Sequence, residues 1–248
     1  MIVEYHRPEN LAQALALLDR SDPTTLPLGG GTFLSSVKER DFAVVDLQSL
    51  GLNKIEESGA FISIGSTVTL QNMLEDSRLP EALKHALQLE ATLNTRNQAT
   101  IAGRLATSDG SSPLATMLLA MDCRLEWQPG NIQQSLGDWL LLRKSQAQNG
   151  VIIQLQIPRQ VIVGFASVGR TPMDRPLLCA GMCRWSSGRI RVSLGGTDHQ
   201  PTLVVDGTEP GDIIEIAKNA YSHKSNKYCS SEYLQENTTV LIRRLLSS

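Results

Sequence analysis

The sequence predicts an α+β fold in two parts: a larger mixed part reaching about residue 158, then a smaller part built on an antiparallel hairpin and helices. Three observations carry this. Two glycine-marked segments, Leu28-Gly29-Gly30-Gly31-Thr32 and Thr100-Ile101-Ala102-Gly103-Arg104, each stand between a candidate strand and a candidate helix. Short apolar runs of strand length alternate with helically spaced apolar residues as far as Pro158. Beyond it, two apolar runs flank Ser186-Ser187-Gly188, the signature of a hairpin, and two helical segments close the chain.

The elements follow in order. Asn10 precedes Leu11, Ala14, Leu15 and Leu18, whose spacing places them on one helical face. Residues 25–28 read as a short strand entering the first glycine segment, and 33–38 as the helical turn leaving it. Residues 43–47 and 61–65 read as strands, and Ser66-Thr67-Val68-Thr69 leads into a helix over 70–76. Pro80 suits the first turn of a helix reaching about residue 89. The stretch 94–99 is polar and carries no predicted element. Pro113 opens an apolar helix through Met121, and 123–127 and 151–157 are strands, the second closed by Pro158. The hairpin pairs 177–185 with 189–194, and helices cover 212–220 and 230–246. No fixed-period repeat or low-complexity tract is present.

A chain of 248 residues buries a substantial core in one or two domains. With 41% hydrophobic and 19% charged residues it is an ordinary globular composition, which excludes extensive disorder. A net charge of -2 argues against nucleic acid as a partner. No apolar run reaches membrane-spanning length, and the first residues lack the basic-then-apolar order of a signal peptide, so cytoplasmic residence is expected. Cys123, Cys179, Cys183 and Cys229 include one close pair, spaced C-x₃-C in apolar surroundings, which predicts buried free thiols rather than a metal site. His6, His85, His199 and His223 show no ligand spacing, so no metal is expected.

The glycine segments carry the chemistry. Three consecutive glycines let the backbone turn tightly and present bare N–H groups to a phosphate. No Gly-Lys-Ser/Thr follows Gly31, and Phe33 and Leu34 occupy the later positions of G-x-G-x-x-G, so neither common nucleotide fingerprint applies. Two readings remain: a tight loop without a ligand, or a pyrophosphate cradle with the Thr32 hydroxyl as an added donor. The second segment divides in the same way. It is a capped helix start, or a second cofactor wall in which Thr100, Thr107 and Asp109 offer polar contacts and Arg104 pairs with phosphate. Taken together, the segments predict a cofactor with more than one phosphate between two lobes, held by main-chain amides at 29–32 and around 100–103.

In order along the chain, the sequence resembles the FAD-binding medium subunit of the molybdenum hydroxylases, the carbon monoxide dehydrogenase and xanthine dehydrogenase group. The resemblance runs nearly end to end. It is carried by the helix after Pro8, the 28–32 turn with Lys38 beyond it, and Ile64-Gly65-Ser66-Thr67-Val68-Thr69-Leu70. Arg96-Asn97-Gln98-Ala99-Thr100-Ile101-Ala102-Gly103 and Leu118-Leu119-Ala120-Met121-Asp122 continue it. Gly195-Gly196-Thr197 with Pro201, Ser231-Glu232-Tyr233 and Arg243-Arg244 complete it.

The resemblance implies a two-lobed FAD-binding domain of the PCMH/vanillyl-alcohol-oxidase type over 1–158, its lobes split near residue 55, and a small C-terminal α+β domain over 159–248. It implies FAD held by Leu28, Gly29, Gly30, Gly31, Thr32, Phe33, Thr100, Ile101, Ala102, Gly103, Arg104, Thr107, Asp109 and Ile152. It also implies a large molybdenum-cofactor subunit, a small iron–sulfur subunit and an external electron acceptor, NAD or another. Electrons would pass from the clusters through FAD to that acceptor, and the chain would not act alone on the organic substrate. The cofactor performs the chemistry in this scheme, so no catalytic side chain is nominated.

Three departures stand out. Ala102 and Arg104 replace a glycine and an asparagine of the family's second turn; a methyl at 102 is harmless at negative φ and costly at positive φ. Pro113 stands where an acidic ribose partner is common, with Asp109 or Ser112 as substitutes. Ser167 stands where a lysine often lies near the flavin. These motivate an alternative: a non-enzymatic scaffold or assembly subunit that kept the fold and lost the flavin. A stand-alone flavin oxidase ranks below both, since the C-terminal part carries no substrate-pocket signature.

Overall fold

The computed structural model describes residues 1–36, 41–143, 150–171, 174–197, 199–225 and 228–247. In chain order the elements are β1 (Ile2–His6), α1 (Leu11–Leu18), β2 (Thr25–Leu28), β3 (Phe42–Asp46), β4 (Ile55–Ser58), β5 (Phe61–Gly65) and α2 (Leu70–Glu75). Next come α3 (Glu81–Glu90), α4 (Leu93–Gln98), α5 (Ile101–Ala106), α6 (Pro113–Ala120), β6 (Arg124–Gln128), β7 (Ile132–Ser135), α7 (Leu136–Leu142) and β8 (Val151–Pro158). The chain ends with β9 (Val161–Val168), β10 (Leu178–Trp185), β11 (Ile190–Gly195), β12 (Thr202–Gly207), α8 (Ile213–Asn219) and α9 (Ser231–Ser247). The α+β class holds. The helical turn expected over 33–38 is a single 3-10 turn, Leu34–Ser36, and its residues 37 and 38 lie outside the described residues.

The chain forms two compact units. One comprises Met1–Glu75, Leu93–Thr107 and Arg124–Ile157; the other comprises Asp76–Thr92, Ser108–Cys123 and Pro158–Ser248. Helices α3 and α6, which precede Pro158 in sequence, therefore belong to the second unit.

The first unit holds two sheets. In the first, β3 lies between β1 and β2 and is parallel to both. All five residues of β3 are buried, as a central parallel strand requires. Registers His6↔Val45 and Leu28↔Asp46 bring the carboxyl ends of the three strands to one edge. Helix α1 begins where the Asn10 carboxamide oxygen accepts the Gln13 N–H at 3.0 Å, and its Ala14 packs with Val45 and Leu47. The second sheet has the order β4-β5-β8-β6-β7.

The second unit is an antiparallel sheet in the order β12-β11-β10-β9. Alternation along β10 sends Leu178, Ala180 and Met182 into a core with Val192, Leu194, Leu234 and Leu241. The residues between them face α6: the Cys179 thiol lies 3.6 Å from the Thr116 hydroxyl, and the Ser193 hydroxyl donates to the Thr116 carbonyl at 2.6 Å. Every residue of α6 is buried, in keeping with a sequence that is apolar apart from Thr116. Beyond its C-terminus Asp122 takes a left-handed φ of 54° and binds two arginines, Arg189 at 2.9 Å and Arg191 at 2.6 Å. Asp206 binds the same pair at 2.7 and 3.0 Å, closing a four-member ring that ties α6 to β11 and β12.

The four cysteines are free and buried, as expected. Burial pushes the Cys179 and Cys183 thiols up to about 12. Among the described residues no helix is long and apolar enough to cross a membrane. The predicted hairpin proves to be the centre of a four-stranded sheet, flanked by the unpredicted β9 and β12. Strands β1, β4 and β7 and helix α7 were also unpredicted, and the polar stretch 94–99 lies largely within α4.

Candidate functional site

The site starts at the carboxyl edge of the parallel sheet, where open α/β sheets bind ligands. Strand β2 leaves through Leu28, whose carbonyl accepts the Leu47 N–H at 3.0 Å. Gly31 then turns the chain with φ +70°. Among the described residues, the N–H groups of Gly30, Gly31 and Thr32 meet no acceptor. Gln48 pins the loop, its carboxamide donating to the Gly29 carbonyl at 3.3 Å.

The opposing wall is woven from 65–72 and 97–103. Thr67 N–H donates to the Leu52 carbonyl at 3.0 Å, Leu70 N–H to Ala99 at 3.0 Å, and Ile101 N–H to Val68 at 2.9 Å. Thr69 and Thr100 form an isolated antiparallel bridge. The glycine segment packs directly on this wall. A Cβ on Gly30 would run into the Gln98 carbonyl, and one on Gly29 into the Thr100 hydroxyl. Close approach of backbone to backbone is what demands glycine here.

Between them lies a cleft of about 630 Å³. Arg7, Gly30 and Gln48 line it just beyond the ends of β1, β2 and β3. Asn53, Thr67, Thr69 and Asn72 line the facing side, and Asn97, Gln98 and Thr100 close the end where α4 gives way to α5. Asp46, 6% exposed, supports the floor: it accepts the Tyr5 hydroxyl at 2.5 Å and the Gln48 N–H at 2.9 Å. That carboxylate holds the Tyr5 phenol above its ordinary value.

The structure brings the two predicted segments together but revises the second. Residues 101–106 are helix α5, and the Ile101 and Ala102 N–H groups donate to the Val68 and Ser66 carbonyls at 2.9 and 3.3 Å. Those two amides are therefore not open to a phosphate, contrary to the expectation for 100–103. Ala102 is helical, and among the described residues only Asp122 and Asn131 are non-glycine with positive φ, so its methyl is harmless.

Of the predicted residues, Gly30 and Thr100 line the cleft, with Leu28, Gly29 and Gly31 beside them. Thr32 and Phe33 are exposed at the loop's outer end. Ile101 is fully buried core, Gly103 and Arg104 lie on α5, and the Thr107 hydroxyl donates to the Gly103 carbonyl at 3.1 Å. Ile152, 5% exposed in β8, pairs with Trp127. Asp109 belongs to the second unit, where Arg175 binds both its oxygens at 2.6 and 3.1 Å. Ser112 is engaged too, donating to the buried Glu90 carboxylate at 2.7 Å and accepting the Ala115 N–H at 3.1 Å.

The sequence reading missed the polar side chains: Arg7, Gln48, Asn53, Thr67, Thr69, Asn72, Asn97 and Gln98. For Arg7 and Gln48 a signal existed, since each stands just past a strand of the parallel sheet.

Whether these residues suit FAD is decided by the polar atoms left over. Among the described residues the buried Ser66 and Thr67 hydroxyls have no hydrogen-bond partner. Thr67 lines the same cleft as Gly30, the first of the three residues with idle amides. Buried hydroxyls without partners are rare and point to a missing acceptor. A diphosphate with its attached ribityl chain provides such acceptors, so the donor set fits.

The comparisons with known proteins agree. Residues 1–160 match the family described as the FAD binding domain in molybdopterin dehydrogenase. The uncharacterized protein YgfM of Escherichia coli (strain K12) is 30% identical over 251 residues, covering 99% of this chain and 95% of that protein. The glyceraldehyde dehydrogenase medium chain of Sulfolobus acidocaldarius is 23% identical over 237 residues, 90% of this chain and 82% of that one. Among solved structures, a chain of the Cu,Mo-CO dehydrogenase superposes with a TM-score of 0.80 at 18% identity, covering 100% of this chain and 97% of that chain. The protein is a flavoprotein of the molybdenum hydroxylase type, with FAD as its cofactor. The chain belongs to the family of FAD-binding domains found in molybdopterin dehydrogenases.

Proposed function

We propose that the chain is the electron-transferring medium subunit of a multi-subunit molybdenum hydroxylase. The observation that carries this is one polar cleft lined both by Gly30, the first of three consecutive idle amides, and by Thr67 with its unpartnered hydroxyl. When bound, FAD supplies the redox chemistry, receiving electrons from iron–sulfur clusters of a small subunit and delivering them to an external acceptor, NAD or another. The chain's own residues bind and orient it: the 29–32 loop and Thr67 offer donors, and Asn53, Asn72 and Asn97 offer amides.

Substrate oxidation belongs to a large molybdenum-cofactor subunit, so this chain is inactive alone on the organic substrate. Residence in the cytoplasm is part of the proposal. So is a division into a FAD-binding domain over 1–158 and a C-terminal domain over 159–248, which the end of the family match at residue 160 supports. The medium-chain names of the glyceraldehyde and carbon monoxide dehydrogenase relatives support the assembly.

A second reading, a scaffold subunit with a weakened flavin site, is favoured by the engagement of Asp109 with Arg175 and of Ser112 with Glu90. Titrating FAD into apoprotein separates the two. A micromolar or tighter constant, about -8 kcal/mol or better, supports the flavoprotein; no saturable binding supports the scaffold.

A further inference from the structure

Among the described residues ten line the cleft, and of these only Arg7 carries a full charge. Its surroundings leave that charge uncommitted. Among the described residues it has no ion-pair or hydrogen-bond partner; Asp46, which ends the adjacent strand β3, is buried and already accepts the Tyr5 hydroxyl and the Gln48 N–H. An exposed arginine without a partner is ordinary in itself. Its fixed position is not.

Arg7 directly follows β1 and precedes Pro8, which is buried and whose ring restricts the backbone of the residue before it. The Ser49 hydroxyl donates to the Pro8 carbonyl at 2.6 Å, tying this corner to the segment after β3. Arg7 is thus anchored at the same carboxyl edge as the Gly30 loop, and the unpartnered, 94%-buried Thr67 hydroxyl is a second, independent sign that an acceptor belongs there.

We propose that Arg7 is the counter-charge of the diphosphate: a binding residue that makes the cleft specific for the ADP-bearing end of the cofactor. The inference rests on the flavoprotein reading. Main-chain amides of the glycine loop and a hydroxyl supply donors but no net charge, while a diphosphate carries negative charge in need of a cation. A guanidinium supplies both charge and paired donors in one group.

The test is a titration of wild type, Arg7→Gln and Arg7→Lys with FAD, ADP and riboflavin at low and high salt. Arg7→Gln is expected to weaken FAD and ADP each by about tenfold at low salt. It should also lose most of the salt dependence of both. Riboflavin, which lacks phosphate, should bind all three proteins alike, and Arg7→Lys should recover part of the loss. Apoprotein melting should be unchanged, because Arg7 is exposed. If Arg7→Gln binds FAD and ADP as wild type does, with the same salt dependence, Arg7 is a solvated bystander and the flavoprotein reading stands. If riboflavin weakens in parallel, its role is structural and the inference fails. If wild type binds neither FAD nor ADP, the flavoprotein reading falls as well.

Discussion

Gly30→Ala tests the geometry on which the site depends. A Cβ there would overlap the Gln98 carbonyl, a backbone atom that cannot rotate away. Overpacking typically costs about 1–3 kcal/mol, and a backbone obstacle places this case near about 3 kcal/mol. For a chain of this size that corresponds to a fall in melting temperature of roughly 6–12 °C. Displacing the loop also removes at least one donor to a charged group, about 1.5–3 kcal/mol, or about 10- to 150-fold in FAD affinity. Two controls calibrate the result. Gly31→Ala meets only an ordinary 3.5 Å contact but must hold φ +70°, a left-handed cost of about 1–2 kcal/mol. Gly207→Ala has open space at ordinary φ and should stay within about 0.5 kcal/mol of wild type. Thermal unfolding and FAD titration of the three variants should rank them in that order. A Gly30→Ala protein as stable as Gly207→Ala, with unchanged affinity, would refute the close approach of the two loops.

Ala102→Gly restores the residue usual in the family, yet it should destabilise the chain by about 0.5–1 kcal/mol without improving FAD binding, because residue 102 is helical; urea unfolding and titration read both effects. Cys179 and Cys183, raised to about 12 by burial, should resist a thiol reagent at pH 8 and react only once the chain is unfolded in guanidinium. The Arg189 guanidinium, hydrogen-bonded to Asp206, holds that carboxyl below its ordinary value, so its contribution is present above the unfolded value of roughly 3.9 and lost as pH falls through the folded one. Asp206→Asn should therefore cost about 1 kcal/mol, discounted for partial exposure, at neutral pH, and the gap to wild type should close in acid.

What the sequence made legible depended on signals carried by single elements. Helix α6 was readable because Ser112, Pro113 and an apolar run coincide, and the structure places Ser112 as its cap. The 28–32 loop was readable because only glycine tolerates the approach of Gln98 and Thr100. Helix α4, Leu93–Gln98, was not, since six mostly polar residues with none buried leave no periodic apolar face. Helix α5 was read as a turn because Gly103 stands in it, yet that glycine keeps an ordinary φ and makes room for the Thr100 hydroxyl, 2.9 Å from where its Cβ would be. Asn53, Asn72 and Asn97 look like any surface asparagines until folding gathers them around one cleft. Their role lies in the tertiary arrangement and leaves no mark on local spacing.

The departures at Ala102, Pro113 and Ser167 invite the view that this fold has been emptied, and Thr67 decides against or for it. Ala102 is accounted for by a helix, and Pro113 by its place in the first turn of α6, where buried Glu90 accepts the Leu114 N–H at 3.0 Å. Thr67 has no such account. An unsatisfied buried hydroxyl costs about 1–3 kcal/mol, so a chain without a ligand carries that cost for nothing. Thr67→Val removes the hydroxyl at nearly constant shape. If the hydroxyl serves FAD, the apoprotein should gain about 1 kcal/mol or hold level while FAD affinity falls by about fivefold or more, the opposition expected of a binding group kept at the expense of stability. Denaturant unfolding of the apoprotein and flavin titration measure the two sides separately. A variant that gains stability and binds FAD as tightly as wild type would show the hydroxyl to be idle, and would shift the balance to the scaffold.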